Sequence, residues 1–125
     1  MKKLLSFVAV ATMFVACGSY IPKVNDAPEV VAKKCLNTYV KGEIEQFAKC
    51  FQFESEDEKQ ELIKEMAGKS NNIKKMGGIK SIEVSMLEQI DNLAEVKVVT
   101  TLKNGESFVN KLGLMKIKNI WYFRR

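Results

Sequence analysis

The chain is 125 residues long, 46% hydrophobic and 28% charged, with 20 Lys and Arg against 15 Asp and Glu and a net charge of +5. That length suits one domain with a self-sufficient core, and the absence of histidine removes the commonest general base, the commonest metal ligand and every Ser-His or Cys-His nucleophile pair. A basic balance raises the question of nucleic acid, but arginine stands only at Arg124 and Arg125, and the spread lysines read as a solvated surface.

Residues 1–16 have the three parts of an export signal. Lys2 and Lys3 are the positive start, Leu4 to Ala16 is the apolar run, and a small residue precedes the cut. A spanning helix needs about 20 apolar residues, and Gly18, Ser19, Pro22 and Lys23 interrupt the run too early. A short uncleaved anchor and an ordinary secretory signal are the alternatives. The segment FVAC at 14–17 resembles a bacterial lipobox, with Phe14 where that pattern favours leucine. The resemblance implies that Cys17 becomes the first residue of the mature protein, carrying a diacylglyceryl thioether and an N-acyl group.

Buried methylenes contribute about 0.8 kcal/mol each, so two or three chains hold a protein lastingly on a bilayer. Loss of Lys2 and Lys3 with the leader lowers the net charge from +5 to +3, and export argues further against nucleic acid as a partner. No acidic run follows Cys17. By resemblance to lipoprotein sorting signals, this favours the outer membrane facing the periplasm. The expected division is leader 1–16, lipidated Cys17 with a flexible tether 17–27, and one domain 28–125.

Pro28 suits the first position of a helix, and Val31, Ala32, Cys35, Leu36, Tyr39 and Val40 recur at helical spacing until Gly42. Ile44, Phe47, Ala48 and Phe51 continue the period on a second helix. Ser55 and Glu58 have capping-box spacing for a third, whose apolar stripe is Leu62, Ile63, Met66, Ala67, Ile73 and Met76. Ser70, Asn71 and Asn72 form a weak stretch that predicts a break. Gly77 and Gly78 end the helix.

Beyond Gly78 the period changes from helical to alternating. Ile82, Val84 and Met86, then Val96 and Val98, alternate with polar residues as half-buried strands do. Asp91-Asn92, Asn104-Gly105 and Lys118-Asn119 are the expected turns, Asn104-Gly105 being the strongest type I′ signal. Three helices followed by a four-stranded antiparallel meander make an α+β arrangement.

The segments APEVVAKKCLNTYVKGEIEQFAKCF, GGIKSIEVSM, AEVKVVTTLKNGE and LMKIKNIWYF resemble DUF4878, a family of small bacterial lipoproteins in the lumazine-binding-like branch of the NTF2-like superfamily. Its closing motif of lysine, glycine turn and tryptophan is matched by Lys116, Asn119 and Trp121, with asparagine in place of glycine. The resemblance implies a cone, with helices packed into the concave face of a curved sheet. Superfamily members often hold an apolar molecule or peptide in the open end. Tyr39, Phe47, Phe51, Met66, Met86, Trp121 and Phe123 are the candidate lining; the plainer reading is that they fill a core.

Superfamily enzymes place Asp with Tyr or His inside the cone. Here the aspartates Asp26, Asp57 and Asp91 fall in the tether, a helix first turn and a strand turn, while Glu83 and Glu95 fall on the outward polar face. No catalytic set, no metal site and no cofactor site is expected. Cys35 and Cys50 flank Gly42, so an antiparallel helix pair brings them opposite each other as a disulfide or as two small buried hydrophobes. Val99, Thr101, Leu87, Val109 and Tyr122 are expected to leave a partly apolar outer face. Two functions remain from this reading: a non-enzymatic, lipid-anchored envelope protein binding a small apolar ligand or peptide in its cone, or one that dimerises or docks to an envelope partner through its sheet.

Overall fold

The computed structural model describes residues 20–125; the leader 1–16 and Cys17 lie outside the described residues. Pro28 opens α1 (Pro28–Val40) behind an extended Ala27, whose methyl side chain can make no cap, while proline at the first position leaves one orphan N–H fewer. Val31, Ala32, Cys35 and Leu36 form its buried stripe. Gly42 ends the turn with φ +82°, letting the Gly42 and Glu43 amides bond back to Tyr39 O (3.0 Å) and Thr38 O (2.9 Å).

The second helix, α2, is a short one, Ile44–Ala48. Phe51 does not continue it as expected. The chain peels away there because Cys50 O accepts from Phe123 N (2.8 Å) and Phe51 forms a parallel bridge to Phe123. A tertiary backbone bond has displaced the next helical one.

Ser55 caps α3 (Glu56–Lys75), its hydroxyl accepting from Glu58 N at 3.1 Å, while Glu58 Oε1 accepts from Glu54 N at 2.9 Å. Glu56, Asp57 and Glu58 favour the positive end of the helix dipole. No break occurs at Ser70–Asn72. Weak formers cost about 0.5 kcal/mol per residue, and the apolar stripe resumes at Ile73 and Met76, which holds the helix in register. Gly77 (φ +101°) and Gly78 (φ +92°) then turn the chain into the sheet.

β1 (Ile79–Ile90), β2 (Leu93–Leu102), β3 (Ser107–Ile117) and β4 (Ile120–Phe123) form a curved antiparallel sheet in that order. The turns differ from expectation in one respect. Lys118 (φ +53°) and Asn119 (φ +68°) both take the left-handed region that a type I′ turn needs, whereas at Asn104-Gly105 only Gly105 does (φ +97°). There Leu102 N donates to Glu106 O (2.8 Å), so the loop is one residue longer than the tight hairpin. Asn104 instead accepts from Glu106 N through its side chain (2.9 Å).

The core lies between α1, α2 and the inner face of the sheet. Ile82, Ala94, Val96, Val98, Leu114, Trp121 and Phe123 meet Val31, Ala32, Cys35, Leu36, Phe47 and Cys50. Residues 20–27 depart from the flexible tether expected of them. Pro22 is buried, Tyr20 packs on the core, its hydroxyl donates to Asp26 Oδ2 (2.8 Å), and Lys34 Nζ sits 5.3 Å from its ring centre. Tyr20 carries the apolar surface that seats this segment.

Candidate binding cavity

α3 packs on α2 and stands off from the sheet, and the space between is a cavity of about 590 Å³. Its floor is the inner sheet face, with Ile82, Val98, Leu102 and Leu112; its roof is Met66, Ile73 and Met76 of α3. An aromatic cluster closes one side. Phe47 has its ring centre 5.3 Å from Tyr39, 5.4 Å edge-on from Phe51 and 6.0 Å from Phe123. Such a volume lies in the ordinary range for small-molecule sites, about 300 to 1,000 Å³.

Of the candidate lining residues, Tyr39, Phe47, Phe51, Met66 and Phe123 stand on the cavity wall. Met86 and Trp121 do not. Trp121 is buried in the core and Met86 packs against that core, away from the cavity. Their inward side was legible from alternation, but their place along the strand was not. Trp121 pairs with Lys116 across β3 and β4, and Lys116 Nζ lies 5.5 Å from the indole centre, so the two matched motif residues form one cross-strand contact.

Sequence reasoning missed the polar part of the wall. Asn72 of α3 and Thr100 and Asn110 of the sheet line the cavity, as does Phe108, which is 44% exposed at its mouth. Asn72 belongs to the stretch expected to break the helix, and Asn110 is the polar exception on an inward phase. That irregularity is the signal that could have found it. Among the described residues, the lining holds no carboxylate, thiol or imidazole. Burial raises the Tyr39 hydroxyl above its ordinary range, so it is a neutral hydrogen-bonding group at any physiological pH.

Cys35 and Cys50 are joined in a disulfide with Cα atoms 6.3 Å apart, and both are fully buried. The bond ties α1 to the segment from which Phe47 and Phe51 reach the cavity. Thr38, also buried, donates to Cys35 O at 2.6 Å. Asp57 and Asp91 are exposed, as is Glu83, while Glu95 is half-buried on the outer face. Among the described residues, no three His, Cys, Asp or Glu come together as metal ligands would.

The outer face carries apolar residues in two separate rows. Ile90, Leu93, Met115 and Tyr122 are consecutive cross-strand partners, and Val99 pairs with Val109 further along. Lys97 with Lys111 and Glu88 with Glu95 lie between them. The five residues expected to make one patch therefore divide. Val99, Thr101 and Val109 sit at one end and Tyr122 at the other, while Leu87 falls at the bulge between Met86 and Glu88.

No protein-family model and no curated protein matches the chain. A solved structure does, that of a Campylobacter jejuni protein carrying the name NTF2-like transpeptidase, with a TM-score of 0.63 and 20% identity over 78% of this chain and 97% of that one. Three helices on a curved four-stranded antiparallel sheet, together with this likeness, show that the chain has an NTF2-like α+β fold.

Proposed function

We propose that this is a lipid-anchored cell-envelope protein without catalytic activity, whose NTF2-like cone binds a small apolar ligand or peptide. The observation that carries the reading is the cavity of about 590 Å³ with its apolar floor, roof and aromatic side wall. A filled core would have left no such space. Attachment through Cys17, in the DUF4878-like manner that the quoted segments suggest, would place this cavity beside the outer membrane on the periplasmic side. The name transpeptidase belongs to the structural neighbour; a covalent acyl transfer would need a nucleophile and a base, and a lining that among the described residues is mostly apolar, without carboxylate, thiol or imidazole, supports a binding role instead.

The test is native-host purification followed by mass spectrometry of what the protein carries. An apolar molecule or peptide should be recovered in roughly stoichiometric amount and be lost from a Met66→Trp variant that fills the cavity. An empty wild-type protein whose melting temperature also ignores envelope extracts would remove the reading. Cys17→Ala should release the protein from membranes in a carbonate wash.

A second reading rests on the row Ile90, Leu93, Met115 and Tyr122, where Ile90 is 57% exposed. In it the protein dimerises or docks to an envelope partner through the outer sheet face. Leu93→Lys should then abolish association seen by sedimentation while leaving cavity ligands bound.

A further inference from the structure

β3 is much longer than the strand that covers it. It runs for 11 residues against 4 in β4, and their pairing covers only Leu114 to Ile117. One more bond follows, from Arg124 N to Gly113 O at 2.9 Å. That bond sets the phase of the strand. In antiparallel pairing both backbone groups of a residue face the same neighbour, and the side alternates along the chain. Gly113 faces the β4 side, so Lys111 and Val109 do too, while Leu112, Asn110 and Phe108 face β2. The N–H and C=O groups of Val109 and Lys111 therefore point out of the sheet, where no backbone partner among the described residues receives them. Val109 is 62% exposed.

This open edge is also the lip of the cavity, since Phe108, Asn110 and Leu112 alternate with the free residues and line it. β1, the other edge of the sheet, shows how an edge is protected. It has register shifts at Ile79/Ser81 and Met86/Glu88, it carries Lys80, Glu83 and Glu88, and α1 packs against it. Bulges, charges and cover are the devices that keep an edge from recruiting a further strand. Between Ser107 and Leu112, β3 keeps an unbroken register with β2 and has Lys111 as its one charge.

From these features we infer that the free edge of β3 binds an extended peptide of about five residues, added as a strand in line with β4. Alternate apolar side chains of the peptide enter the cavity. The inference rests on the cavity reading above and names the class of its ligand. A compact apolar molecule would fill the cavity but leave Val109 and Lys111 to water, whereas an extended backbone satisfies both the edge and the cavity. Arg124 and Lys69, the latter paired with Glu65 at 3.6 Å, line the cavity, Lys111 stands on the edge itself, and among the described residues no acid lines the cavity, so the peptide carries acidic groups at its ends.

The test titrates the full chain in detergent micelles with fluorescein-labelled Glu-Val-Thr-Val-Thr-Val-Glu. Two further forms are N-methylated at alternate backbone nitrogens, one in each phase. An added strand is paired on one side only, so one phase should bind like the parent and the other should not. Val109→Pro, which removes an N–H that no strand uses, should weaken the parent peptide about tenfold, as loss of one well-made hydrogen bond implies. Indole reports on the cavity separately, through the methyl NMR signals of Met66 and Met76 with Met86 and Met115 as reference.

Equal binding of both methylated forms, or no peptide binding while indole still binds, overturns the edge and leaves the cavity reading standing. Failure of peptide and indole together overturns both. A dimer that Val109→Pro makes monomeric would mean that a second copy occupies the edge, and the peptide proposal falls. Should that variant not fold, the methylated pair decides alone.

Discussion

α1 and α3 cover the same sheet in opposite ways. α1 buries six of its 13 residues, including three apolar ones at 0% exposure, and is tied by the disulfide to the segment after α2. α3 is 20 residues long and buries only Leu62. Burial is concentrated where α1 meets Trp121 and Leu114, and the cavity lies where α3 stands away from the sheet. The space left under α3 forgoes close packing there, and the cross-linked half offsets that cost.

Truncation in the closed half should be the most damaging change. Leu114→Ala leaves a void at a fully buried position and should cost about 3 to 5 kcal/mol in urea unfolding. A loss under about 1 kcal/mol, within the range of surface changes, would mean that this half is not the stable one. Next comes the disulfide, which closes a separation of 15 residues. Replacing both cysteines by alanine should cost about 3 kcal/mol, and an unchanged unfolding midpoint would show that packing alone holds α1.

Gly78→Ala, at φ +92° where α3 enters the sheet, should cost about 1 to 2 kcal/mol by forcing a side chain into a left-handed backbone. Met66→Ala should cost under about 1 kcal/mol because its side chain is only half-buried, yet it should change indole affinity. The opposite pattern, large destabilisation with unaltered binding, would erase the contrast between the two helices.

The smallest effect is confined to high pH. Burial, then the hydrogen bond to Asp26 and its charge, raise the Tyr20 hydroxyl well above its ordinary range. A group favoured neutral in the fold contributes fully below about pH 10 and loses that contribution as pH rises beyond it. Tyr20→Phe should therefore flatten part of the alkaline fall in melting temperature. An identical alkaline curve in the variant would mean that residues 20–27 do not hold to the domain in solution.

Much of the architecture was legible in the residues. Pro28, Gly42, Ser55 and the Gly77-Gly78 pair mark local backbone requirements, and these act the same way wherever the chain goes. Alternation placed Ile82, Val96 and Val98 inward for the same reason. The limits appear at Phe51, where a backbone bond from Phe123, far away in the chain, ends the helix early, and at Ser70–Asn72, where the resumed apolar stripe outweighs poor propensity. The cavity was half legible. Tyr39, Phe47, Phe51, Met66 and Phe123 were chosen as apolar residues on inward phases, but periodicity gives the side a residue faces and not its depth along the element, which is why Trp121 and Met86 went with them.

By itself, then, the order of residues determined three helices, four strands, their inward faces and a hairpin able to oppose Cys35 and Cys50, because propensity, capping and period are local properties. Only the tertiary structure decided that those cysteines bond, that α3 stands away from the sheet, and that β4 pairs with only part of β3, so that Val109 and Lys111 meet no partner strand among the described residues. Those outcomes depend on how far one element reaches across another, which is set by the packing of side chains distant in the chain.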